Sequence, residues 1–203
     1  MTYLQFREQW HRVGCFNVYQ VKAWYPDFDR NNYRRWIQKG FIIRLRQDWY
    51  AFADLIQTPD FARVIASRMY GPSYISLHTA LSYYGIIPAA VVRITSITTN
   101  RKCVIQNAFG DYSYQTLKSE LFWGYMPKTT EHGAFLLASA EKAILDLLYL
   151  YPEYCDEESL LNLRLDEDWM QEDLDAHRLL EFAQRAGSKA LKQRVELLLK
   201  IYS

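Results

Sequence analysis

The stretch from Phe28 to Ala53, FDRNNYRRWIQKGFIIRLRQDWYAFA, restricts the fold more than any other part of the chain. It reads as a capped helix, a glycine stop and a tight β-hairpin. Asp29 is placed to cap the first free amides, and Phe28 before it to staple onto Tyr33. Gly40 ends the helix after Lys39. At about 100° per residue, Tyr33, Trp36 and Ile37 fall within roughly one third of the circumference. Arg30, Asn31, Arg34, Arg35 and Gln38 fill the opposite arc, which holds three guanidiniums, two amides and no carboxylate.

The hairpin follows from register. With Gln47 and Asp48 as a two-residue turn, Leu45 faces Tyr50 and Ile43 faces Phe52 on an apolar side of the ribbon. Arg46 then faces Trp49 and Arg44 faces Ala51 on the other side. Arginine matches guanine edges, and Asn or Gln matches adenine edges. A basic helix followed by a basic hairpin is the winged helix-turn-helix pattern. The expected DNA-binding residues are Lys22, Arg30, Asn31, Arg34, Arg35, Gln38, Arg44 and Arg46. An ordinary amphipathic helix and hairpin with solvated charges fits the same pattern.

Charge distribution bears on that choice. Net charge is only +1 over 203 residues, but residues 1–53 hold nine Lys/Arg against four Asp/Glu. Residues 54–150 are near balance at +1, and residues 151–203 carry −5. The basic head coincides with the helix–hairpin motif. Half the residues are hydrophobic, enough for a sizeable core. Cys15, Cys103 and Cys155 are few, odd in number and far apart, which supports neither a zinc site nor a disulfide framework. The N-terminal MTYLQFREQW lacks a signal peptide's apolar region, and no 18-residue apolar run occurs. The expectation is a soluble cytoplasmic protein with no membrane partner.

Taken in order, Thr2 to Val13 reads as a first helix with a Thr2/Gln5 capping box, an inner face of Tyr3, Phe6, Trp10 and Val13, and a stop at Gly14. Asn17 caps a second helix that ends at Tyr25-Pro26, and Lys22 on it is a candidate phosphate contact. The third helix and the hairpin complete residues 1–55 as one small module. Asp54 to Gln57 is a connector. Thr58-Pro59 starts a helix with an inner stripe of Phe61, Val64, Ile65 and Met69. Ser76 to Tyr84 reads as another helix, and strands follow at Val91–Thr99, Lys102–Phe109, Tyr112–Leu117 and Ala134–Ala138. Ser139 opens a helix through Tyr151. Helices at Glu157–Leu163, Leu174–Ala186 and Lys189–Tyr202 end the chain. The expected class is α+β: an N-terminal winged helix-turn-helix over residues 1–55, then a mixed α/β domain over 56–203 with its own core.

Three stretches together resemble the AbiEi-type antitoxins of type IV toxin–antitoxin, or abortive-infection, systems. They are GFIIRLRQDWYAF, then PSYISLHTALSYYGIIP with ITSITTNR just after it, and ASAEKAILDLLYL, in the family's order. The likeness covers most of the chain up to about Leu150, and its middle stretch is the most specific. The resemblance implies an autorepressor whose winged helix binds operator DNA in its own promoter, as an inverted repeat read by two copies. It further implies a C-terminal part that counters a nucleotidyltransferase-like toxin without a stable complex. The family usually has glycine in the wing turn where this chain has Asp48. Aspartate tolerates left-handed geometry, so the hairpin survives, but a carboxylate at the tip repels phosphates.

Other chemistry is sparse, and neither catalytic residues nor a metal or cofactor is expected. His11, His78, His132 and His177 lack metal-ligand spacing and read as packed or solvated residues. Ser76, His78 and Asp111 can be drawn as a triad, but no nucleophile-elbow glycines surround the serine. Glu141 and Lys142 are adjacent rather than spaced as Glu-x-Lys. They read as a carboxylate suited to a helix N-terminus and a solvated lysine, with Asp146 in reach of Lys142 at i, i+4. Tyr83, Tyr84, Tyr112, Tyr114 and Tyr125 read as core rather than base-stacking residues. Two alternatives stay open: a nucleic-acid- or nucleotide-processing enzyme in the C-terminal part, and a plain ligand-sensing transcription factor.

Overall fold

In the computed structural model, which describes residues 1–58, 60–88 and 91–202, the chain is an α+β protein with two separate β-sheets. The first part comprises α1 (Tyr3–Trp10), β1 (Cys15–Asn17), α2 (Val18–Trp24), α3 (Asn31–Gln38), β2 (Ile42–Arg46) and β3 (Trp49–Phe52). Its strands form an antiparallel sheet in the order β1-β3-β2. Thr2 and Gln5 make a complete capping box on α1, and Asn17 and Gln20 repeat it on α2. These reciprocal bonds satisfy amides that would otherwise be orphaned at the helix starts. Phe6 sits at the centre of an aromatic core, with the rings of Trp10, Phe16, Phe28, Trp36 and Phe52 at centroid distances of 4.8–6.0 Å.

The hairpin departs from the expected register. Arg46 does face Trp49, but Arg44 faces Tyr50, Ile43 faces Ala51 and Ile42 faces Phe52. Leu45 is the extra residue of a β-bulge between Arg44 and Arg46. The bulge lets Ile42 and Leu45, three positions apart, both be buried, which regular alternation does not permit. It also sends the two arginines in different directions. Asp48 takes the expected left-handed conformation at φ 60°.

The second part comprises α4 (Phe61–Met69), β4 (Ser73–Ile75), α5 (Leu77–Tyr83), β5 (Arg93–Thr98), β6 (Cys103–Asn107), β7 (Gly110–Thr116), β8 (Tyr125–Thr130), β9 (Gly133–Ala138) and α6 (Ala140–Leu150). Four helices follow: α7 (Glu157–Leu161), α8 (Glu167–Glu172), α9 (Ala176–Arg185) and α10 (Lys189–Ile201). The strands form one mixed sheet in the order β6-β7-β5-β4-β9-β8, with β5 parallel to β7 and β4 parallel to β9. On one face the Tyr114 hydroxyl donates to the Ala66 carbonyl of α4 at 2.8 Å. On the other, the Tyr74 hydroxyl reaches Asp146 of α6 at 2.9 Å. The expected proline start of α4 at Pro59 lies outside the described residues. Among the described residues no helix is long and apolar enough to cross a membrane.

The two sheets exchange no β-pairing among the described residues, but the parts between them are packed. Gly14, at φ +76°, lies under the Phe61 ring so closely that an added Cβ would come within 2.4 Å of it. Arg68 of α4 donates to the Val13 carbonyl, and the Asn107 amide donates to the Leu45 carbonyl at 3.4 Å. Asp54 is bonded to Arg7 at 2.6 Å and to His11 at 3.0 Å. The buried apolar side chains form one continuous cluster across this seam.

Candidate nucleic-acid interface

A groove of about 270 Å³ runs between α3 and the hairpin, lined by Val18, Arg30, Tyr33, Arg34, Ile37, Gln38, Arg44 and Tyr50. Local sequence explains its shape. The Phe28 ring packs on Tyr33 at 5.0 Å, as the staple requires, and Gly40 takes φ +69° to turn the chain into β2. The cap is displaced by one position: Asp29 accepts from the Asn31 amide at 2.9 Å, with Arg30 as the flanking residue. Tyr33 stacks on Tyr50 at 4.9 Å with the rings 8° from parallel, which makes the groove floor aromatic. Burial pushes the Tyr33 phenol above its ordinary range, with Tyr50 adding to the rise and Arg30 opposing it. Ile37, expected to point inward, is 38% exposed and lines the groove instead.

The eight expected DNA-binding residues divide by surroundings. Arg34 and Gln38 are exposed and have no side-chain partner among the described residues. Arg44 is exposed, and its Nε donates to the Arg46 carbonyl at 3.3 Å. Arg30 lies 3.6 Å from Asp48 Oδ1 across the end of the groove. Arg35 lies outside the groove lining and donates to Asp29 and Asn32, both at 2.8 Å. The arc thus lacks carboxylates in sequence but not in space. Such exposed pairs contribute at most about 1 kcal/mol each to stability. Asn31 and Lys22 are exposed but do not line the groove. Arg46 is turned away by the bulge. It donates to the Met69 carbonyl at 3.3 Å and lies 5.6 Å from the centre of the Tyr70 ring, so it belongs to the seam.

The largest correction concerns Lys142, which is fully buried rather than solvated. Its ammonium pairs with Asp146 and donates to the Tyr74 hydroxyl at 3.0 Å. The Ser76 hydroxyl donates to Asp146 at 2.8 Å, and the Trp123 ring centre lies 4.9 Å from the ammonium. Burial pushes the lysine pKa down and the aspartate pKa up, and the attraction between the two opposes both shifts. The signal was the helix itself. Every residue from Ala140 to Leu148 is buried, and an apolar run on all sides of a helix marks a core position. Ser76 is thereby engaged with Asp146, while Asp111 sits 4.0 Å from Arg93, so the drawn triad is not brought together. Tyr112 and Tyr114 are buried, and Tyr84 donates to the Ala138 carbonyl at 2.8 Å, as core roles require, but Tyr83 is exposed, with the Arg63 guanidinium 5.3 Å from its ring centre. Among the described residues no group of three His, Cys, Asp or Glu side chains is placed to hold a metal ion.

Compared with models of known protein families and with curated proteins, the chain matches none.

Proposed function

We propose that the chain is a DNA-binding transcriptional autorepressor and the antitoxin of a type IV toxin–antitoxin system, working in the cytoplasm. In this reading residues 1–55 are a winged helix-turn-helix. Helix α3 is the recognition helix, the β2–β3 hairpin is the wing, and an inverted repeat in the chain's own promoter is the site. Residues 56–203 are the antitoxin part, acting against a nucleotidyltransferase-like toxin without a stable complex. The observation that carries the DNA reading is the groove where Arg34, Gln38 and Arg44 converge beside an aromatic floor. Guanidinium and amide groups standing off one helix face suit base edges, and Arg44 on the opposite wall suits a phosphate. The toxin-countering role rests on the resemblance of PSYISLHTALSYYGIIP and ASAEKAILDLLYL to the AbiEi family.

The test separates the two roles in the full chain. A reporter under the chain's own promoter measures repression, and growth during expression of the neighbouring toxin measures protection. The double variant Arg34→Ala/Arg44→Ala loses repression and keeps protection when expressed from an unrelated promoter. Full repression by that variant removes the groove from the DNA reading. Failure of the wild-type chain to protect removes the antitoxin reading.

A further inference from the structure

We propose that Asp48 and Asp29 are built-in competitors for DNA phosphate, holding Arg30 and Arg35 on the protein and so restraining sequence-independent binding. This rests on the reading of the α3–hairpin groove as a DNA surface. Of the three guanidiniums on the α3 face, two meet a carboxylate: Arg35 on Asp29 at 2.8 Å and Arg30 on Asp48 at 3.6 Å. A carboxylate presents a guanidinium with the same charge sign and paired acceptor oxygens as a phosphate. The two kinds of anion therefore compete for the same group.

The geometry makes the carboxylates the fixed partners and the arginines the mobile ones. Asp29 is pinned because its other oxygen caps the Asn31 amide at 2.9 Å. The Asp48 backbone is held by its left-handed turn and by its carbonyl, which accepts from the Val18 amide at 3.0 Å, so its carboxylate moves only about two side-chain torsions. The arginine side chains are 71% and 59% exposed. A duplex that recruits Arg30 or Arg35 leaves an unpaired carboxylate on a short side chain facing its backbone. Affinity for arbitrary DNA comes almost wholly from phosphate contacts, so this competition weakens it for every sequence. Arg34 and Gln38, which no carboxylate touches among the described residues, are left to read bases.

The experiment uses the full chain and two duplexes of equal length, one from its own promoter and one unrelated, titrated across a salt series. Asp48→Asn and Asp29→Asn keep the turn and the cap, because asparagine tolerates left-handed geometry and retains the accepting oxygen. Each variant binds both duplexes tighter, on the order of fivefold at about 0.1 M salt, and steepens the plot of log affinity against log salt by about 0.9. Arg30→Gln has little effect in the wild-type chain but abolishes the gain in Asp48→Asn. That cycle assigns the gain to the pair rather than to a change in folding. Unchanged affinity and slope in both aspartate variants, with Arg34→Ala still weakening promoter binding, overturns the competition and leaves the DNA reading standing. A wild-type chain that binds its promoter no better than the unrelated duplex overturns both.

Discussion

Arg30–Asp48 and Lys142–Asp146 are each a basic side chain held by an aspartate, yet they lie in opposite surroundings. The first pair stands at the mouth of a groove, with 71% of the arginine side chain exposed. The second is buried, with Tyr74 and Trp123 at the ammonium and Ser76 at the carboxylate. An exposed pair is screened by water and salt, so a ligand's anion can replace the aspartate at little cost. A buried pair cannot be separated without leaving an uncompensated charge in a low-dielectric interior. In the proposed reading the basic head exchanges partners, whereas the C-terminal part uses charge to fix α6 against β4.

The sharpest way to break this contrast is to remove one member of the buried pair. Lys142→Met leaves Asp146 without its cation, and the expected loss is about 3–5 kcal/mol of unfolding free energy, read by urea titration. A loss below about 1 kcal/mol would mean that Asp146 is already satisfied by the two hydroxyls. The seam comes next. Gly14→Ala adds a Cβ against the Phe61 ring at a left-handed φ, so both packing and backbone oppose it. The expected loss is about 2–3 kcal/mol, with the two parts still melting in one transition if the shared cluster couples them. Arg34→Ala is the counterpart in the groove. It weakens promoter binding by roughly 1–3 kcal/mol in a mobility-shift titration and shifts stability by less than about 0.5 kcal/mol.

The smallest effect is a pH dependence at the seam. Burial pushes the Cys15 thiol up to about 11 from its ordinary 9.0, partly opposed by Arg68. A thiol with a raised folded-state pKa keeps its proton longer in the native chain. Its stabilisation is complete below about pH 9 and is lost as pH rises toward 11. Comparing wild type with Cys15→Ala at about pH 8 and about pH 10 isolates this group from the tyrosines. The wild-type chain loses about 1 kcal/mol more than the variant over that interval.

Much of the first part was legible because its signals are local. Thr2 with Gln5, Asn17, the Phe28–Tyr33 staple and Gly40 each act within a turn of the residues they control. What was not legible depends on distant partners. Strands β1 and β4 are three residues long and exist through pairing with β3 in one case and with β5 and β9 in the other. Strand β8 carries Pro127, which argues against a strand, but it lies at a sheet edge, where the missing donor is tolerated. The acidic helix α8 shows no apolar stripe. In the groove the residue types were readable, but their availability was not. The bulge at Leu45 sends Arg46 to the seam, and the loop aspartates claim Arg30 and Arg35. Lys142 looked like a surface residue because its neighbour Glu141 opens a helix, whereas burial on every side of α6 decides its state.

Amide hydrogen exchange of the full chain, with and without a duplex from its own promoter, tests the central contrast most directly. The account predicts slowed exchange along α3 and the β2–β3 turn, and no change in the buried stretch from Ser139 to Leu148. Protection centred on the six-stranded sheet or on α9, with α3 unchanged, would contradict it.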